Sequence, residues 1–119
     1  MKLIETDYET KLILHSELRS AKGVREFIKG FDKAVKKINI SAGPEKCIRL
    51  KIEIDKHYRA KPLHWDLNEI VDYVQAVLKR RGIIESTSTL VIPICLILVH
   101  DISDEDDETV KVSYARIID

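Results

Sequence analysis

Asp66, Glu69 and Asp72 stand at i, i+3 and i+6 in the stretch HWDLNEIVDYVQAVLKRRG. On a helix, that spacing sets the first two carboxylates on one side of the first turn. A hard divalent cation such as Mg2+ binds through one or two carboxylates, with water and phosphate completing its shell. Such a site, fed by a basic loop, suits phosphodiester hydrolysis. The same pair also fits a plainer role. Asp66 occupies an N-cap position and Glu69 follows three residues later, so their side chains can take up the unpaired amides of the first turn. Both readings require a helix to begin here. Only one of them requires chemistry.

A second group is basic. Arg49, Lys51, Lys56, Arg59 and Lys61 are interleaved with Tyr58 and followed by Trp65. Cations grip phosphates and aromatic rings stack on bases, so these residues form the candidate nucleic-acid surface. The alternative is a solvated loop in which Trp65 staples the chain to the next helix. The four histidines show no zinc spacing. The acidic run HDISDEDDE lacks the glycine and spacing of a calcium loop, and reads as a solvated hairpin tip. Neither a phosphate loop, a dinucleotide fingerprint nor a nucleophile elbow is present. Cys47 and Cys95 lie in apolar, strand-like segments and read as buried reduced thiols.

The elements that must position these residues follow from periodicity. Leu67, Ile70, Val71, Val74, Val77 and Leu78 make one helical face. Lys79, Arg80 and Arg81 suit the last turn, and Gly82 supplies the stop. An earlier helix is predicted over Val24 to Ile38, after a turn-like link ending at Gly23. Its stripe is Val24, Phe27, Ile28, Phe31, Ala34, Val35 and Ile38. From Cys47 to Asp55 the chain alternates: Ile48, Leu50, Ile52 and Ile54 point one way, and Cys47, Arg49, Lys51 and Glu53 the other. TKLILHSE reads as a first strand, behind a mixed segment over residues 1–9. LVIPICLILV, Leu90 to Val99, predicts a strand buried on both faces, with a bulge or an edge at Pro93. Thr109 to Ile118 returns as the last strand, pairing back antiparallel.

The predicted class is α/β (α+β): a single domain over residues 1–119, in the order β-α-β-α-β-β. It has a four-stranded mixed sheet with two helices on one face. Two helices cover only one face, whereas Leu90–Val99 asks for two. A second copy, making a homodimer, is the expected cover.

Composition bounds the function. Basic and acidic residues number 20 each, which argues against a purely electrostatic nucleic-acid binder. No run approaches the roughly 20 apolar residues of a membrane span. MKLIETDYET carries acids where a signal peptide needs an apolar run, so a cytoplasmic location is expected. Charged residues are 34% of the chain, and Asn and Gln total only three, a thermophile pattern.

The order of elements, taken with DLNE, resembles the RusA family of Holliday-junction resolvases. CIRLKIEID looks like that family's strand, KHYRAKPLHW like its basic loop, and DLNE like the Asp-Leu-Asp-Asn that opens its helix. EIVDYVQAVLKRRG then looks like the helix and following glycine, and the similarity spans roughly residues 24–118. The resemblance implies a small homodimeric, Mg2+-dependent endonuclease acting on branched DNA. Asp66 and Glu69 would be catalytic and would hold the metal with Asn68, while Lys56, Arg59 and Lys61 would hold phosphate. The departures lie in the acids. The family's second catalytic Asp falls on Asn68 and its Asn on Glu69. Its later Asp-Asp pair falls near Ser86-Thr87, beside Glu85. The resemblance therefore implies a weakened or inactive endonuclease that still binds nucleic acid. The alternative is a small homodimeric interaction protein without catalysis.

Overall fold

The structure, a computed structural model, describes residues 4–15, 18, 20–38, 43–58 and 65–118, the first of these segments and residue 118 by backbone alone. The elements are β1 (Ile4–His15), α1 (Ala21–Lys36), β2 (Ile48–His57), α2 (Leu67–Arg80), β3 (Ile94–Ile102) and β4 (Thr109–Ile118). The domain is α+β, with two helices against a mixed sheet.

The strand order is β1-β4-β2-β3. β4 lies antiparallel to both β1 and β2, and β2 runs parallel to β3. Each helix therefore links two strands of the same direction, and β4 fills the gap left between β1 and β2. This corrects the expected late hairpin. Among the described residues β4 pairs with β2 and β1, not with β3. The acidic connection crosses the end of β2 to reach the gap, where β4 gains two partners instead of one.

α1 begins three residues ahead of the expected Val24. Ser20 is its N-cap, and its Oγ accepts a bond of 3.0 Å from the Gly23 amide. That bond satisfies one of the unpaired amides that every helix start leaves. The helix buries Val24, Phe27, Phe31 and Val35. α2 buries Ile70, Val74, Val77 and Leu78. Gly82 follows with φ +78°, the left-handed turn in which a side chain is strained.

These two stripes meet Ile48, Leu50, Ile52 and Ile54 of β2 and Val110, Val112 and Tyr114 of β4 in one core. The cross-strand register puts Leu50 beside Tyr114, Ile52 beside Val112 and Ile54 beside Val110, so these side chains share one face. The helices are also fastened to each other. Tyr73 Oη donates to the Ile28 carbonyl at 3.2 Å, and Asp32 accepts from Arg80 at 2.9 Å and from Arg81 at 2.7 Å. The two guanidiniums hold the Asp32 carboxyl below its ordinary range, the hydrogen bond from Arg81 contributing most.

The apolar run is not the doubly buried strand expected from it. Val91 and Ile92 are buried ahead of Pro93, within a turn whose Val91 carbonyl accepts from the Ile48 amide at 2.8 Å. Leu90 is 83% exposed. The strand proper starts after Pro93 and forms the sheet edge, paired only with β2 among the described residues. Proline lacks the amide that a ladder needs, which fixes the start at Ile94. No described helix is long and apolar enough to cross a membrane.

Candidate functional site

The start of α2 is built by its cap. Asp66 adopts extended backbone, and its Oδ1 accepts from the Glu69 amide at 2.8 Å. Trp65, just before it, packs into a cluster of rings. Its centroid lies 5.5 Å from Tyr73 and 6.5 Å from Phe27, and Phe27 in turn stacks 5.7 Å from Phe31. Such tilted and edge-on contacts stabilise beyond area burial alone. Trp65 thus anchors the entry to α2, as a staple does, and its ring is engaged with the core.

Asp66, Asn68, Glu69 and Asp72 are all exposed. Among the described residues no three of His, Cys, Asp or Glu come together as a group able to hold a metal ion. Asp66 has one carboxylate oxygen engaged in the cap, and Asn68, Glu69 and Asp72 stand exposed on the first turns of α2.

The basic candidates are dispersed. Arg49 is 7% exposed and lies on the outer face of the sheet, away from the helices. Lys51, on that same face, lies 3.5 Å from Glu53. Lys56 points to the other side at the strand end and donates to Asp101 at 2.7 Å. Arg59 and Lys61 lie outside the described residues. Tyr58, just before them, is 80% exposed.

The end of β2 carries a network of side-chain contacts. His57 Nε2 is 2.7 Å from the Asp106 carbonyl, and Nδ1 is 3.0 Å from Glu108 Oε1. Thr109 donates to Asp55 at 3.3 Å, and Lys111 lies 3.4 Å from the same carboxylate. The acidic segment is therefore not a free hairpin tip. Lys56 and His57 fasten it across β2. The signal available was their position at the end of a strand, facing a run with acids at 101, 104–106, 107 and 108.

Both cysteines are free; Cys47 is half-buried and Cys95 is exposed, which corrects its expected burial. Partial desolvation still pushes the Cys95 thiol up, opposed by a hydrogen bond with Gln75 of α2. Cys95 is exposed because β3 is an edge. On the same strand Leu96 is 43% exposed, and Leu98 and Val99 are 39% exposed.

A shallow cleft at the other end of the sheet is lined by Gly43 to Cys47, Arg116 and Ile117. Arg116 is held there by both oxygens of Glu45, each at 2.7 Å, so its charge is already matched. No protein family matches this chain, and no curated protein matches it in sequence.

Proposed function

We propose that the chain is a small homodimeric interaction domain without catalysis, and that β3 is its working surface. One observation carries this reading. A nine-residue strand, apolar from Ile94 to Val99, stands at the sheet edge with one partner strand among the described residues, and it presents Leu96, Leu98 and Val99 to solvent. Proteins ordinarily blunt such edges with charges, proline, bulges or short length. From Ile94 to Val99 this edge has none of these. The domain is proposed to work in the cytoplasm, where its two free thiols stay reduced.

The sedimentation of the purified chain tests the reading. It should run at twice 13.7 kDa at micromolar concentration. A monomer throughout the micromolar range refutes it.

A second reading, a RusA-like nucleic-acid-binding protein, is favoured by Tyr58, which stands exposed directly before Arg59 and Lys61. There the ring would stack on a base and the cations would hold phosphates. Binding would then fall steeply with added salt, as released counterions require. It stands second because the neighbouring segment carries Asp101, Asp104, Glu105, Asp106, Asp107 and Glu108, which repel a phosphate backbone. A gel shift against a four-way junction, a duplex and a single strand, with and without Mg2+, decides it.

A further inference from the structure

We infer that two copies join β3 to β3 antiparallel about a twofold axis at Ile97, extending each sheet into one continuous sheet. The inference rests on the self-association proposed above and specifies its geometry.

The β3 edge is self-complementary. A twofold axis perpendicular to the sheet keeps each face on its own side, so residues pair only with others of the same face. Centred on Ile97, the pairing sets Leu96 against Leu98 of the other copy and Cys95 against Val99. Ile97 then meets its own equivalent. Every residue from Cys95 to Val99 faces an apolar residue. The paired span, 94–100, lies wholly inside the strand. Shifting the centre to residue 96 brings Pro93, which has no amide to donate, into the ladder. Shifting it to residue 98 sets Cys95 against the charged Asp101.

The direction of joining follows from the faces of the sheet. Along the outer face, β2 carries Arg49 and Lys51 in its first half and Glu53 and Asp55 in its second. The β2–β3 register aligns these with Ile94, Leu96, Leu98 and His100. In the antiparallel pair, the row through Lys51 and Leu96 runs on through Leu98 to Glu53 of the other copy. The row through Arg49 and Ile94 ends at Asp55. Each row thus joins a basic end to an acidic end. Parallel joining of the same two edges needs an axis along the strands, which turns one sheet over and sets the outer face of one copy beside the helix face of the other. The charged groups are three strand spacings apart, about 14 Å. This exceeds the screening length of roughly 8 Å, and Lys51 and Lys111 already lie close to Glu53 and Asp55 within each copy, so the rows add little and the apolar strand supplies the hold.

Edge pairing also covers the exposed side chains of both faces. Leu96 and Leu98 lie on the outer face, and Cys95 and Val99 on the helix face. Edge pairing brings a neighbour to both sets and to the strand's open side together. Docking on one face would leave the other set bare.

Cross-linking tests the register. In a Cys47→Ser background, Val99→Cys would face the native Cys95 of the other copy. Directly opposed residues lie about 5 Å apart, within disulfide reach. Mild oxidation should yield a covalent dimer in most of the chains. Adding Cys95→Ser should abolish it, because two Val99 positions are then far apart. Leu98→Lys, at an exposed position outside the core, should turn the dimer into a monomer. A dimer that shows no Cys95-dependent cross-link and survives Leu98→Lys overturns the β3 pairing while leaving self-association intact. A chain that is monomeric from the outset overturns both.

Discussion

Replacing Asp66 separates the two roles that its position allows. Its Oδ1 accepts one amide bond of 2.8 Å at an exposed helix start. Removing an N-cap acceptor costs about 1 kcal/mol, within a range of roughly 0.5–2. For a domain near this size each kcal/mol lowers Tm by about 4 °C. Asp66→Ala should therefore unfold about 4 °C below the wild type. Asn caps as well as Asp does, so Asp66→Asn keeps the bond and loses only the carboxylate's attraction to the helix dipole, at most about 0.5 kcal/mol at this exposed position. The assay is thermal unfolding at pH 7, repeated with 0 and roughly 100 Kd-equivalents of Mg2+, where a real site would add about 2.7 kcal/mol. The account predicts that the ranking Asp66 ≈ Asn > Ala holds identically with and without the metal. A wild type stabilised by Mg2+ beside an Asp66→Asn variant that is not would refute the cap reading and restore the metal ligand.

Further outcomes follow from the same packing. Phe31→Ala empties a fully buried site between the helices and should cost about 3–5 kcal/mol in urea unfolding. Gly82→Ala forces a side chain into φ +78° and should cost about 1–2 kcal/mol without altering α2 helicity by circular dichroism. Asp32→Asn tests the link between helices by its pH dependence. The folded carboxyl is held below its ordinary 3.8, so its stabilisation is present above that value and is lost as pH falls through the depressed one. Wild type and variant should differ in Tm at pH 7 and converge in strong acid. Equal Tm values at both pH values would show that the Arg80 and Arg81 contacts contribute nothing. Trp65, the single tryptophan, should report loss of the ring cluster during unfolding. Its emission should not respond to single-stranded DNA, and quenching on titration would make it a stacking platform after all.

The parts of the fold legible in sequence were those fixed by local periodicity. The α2 stripe, its cap at Asp66 and its stop at Gly82 all agree with one another, and the structure places each where the pattern puts it. The alternation of β2 fixed its core face for the same reason. The start of α1 was misplaced because Gly23 reads as a link, although Ser20 three residues earlier is a cap signal that a helical glycine does not cancel. The role of β3 was illegible for a different reason. An apolar run reports what a strand can bury, whereas its place in the sheet depends on which strand fills the gap beside β2. That choice was made by β4, at the far end of an acidic connection. Trp65 shows the same limit. Its type suits stacking on a base or on a core, and only the nearness of Phe27 and Tyr73 decides.

Amide hydrogen exchange along β3, followed as a function of protein concentration, tests the central claim most directly. A strand paired on one side leaves alternate amides open to solvent, and a second copy closes them. The account predicts that peptides covering residues 94–100 gain protection as concentration rises through the dimerisation range, while those from β4 stay unchanged. Fast exchange of the open β3 amides at every concentration, in a chain that sediments as a dimer or as a monomer, would contradict it.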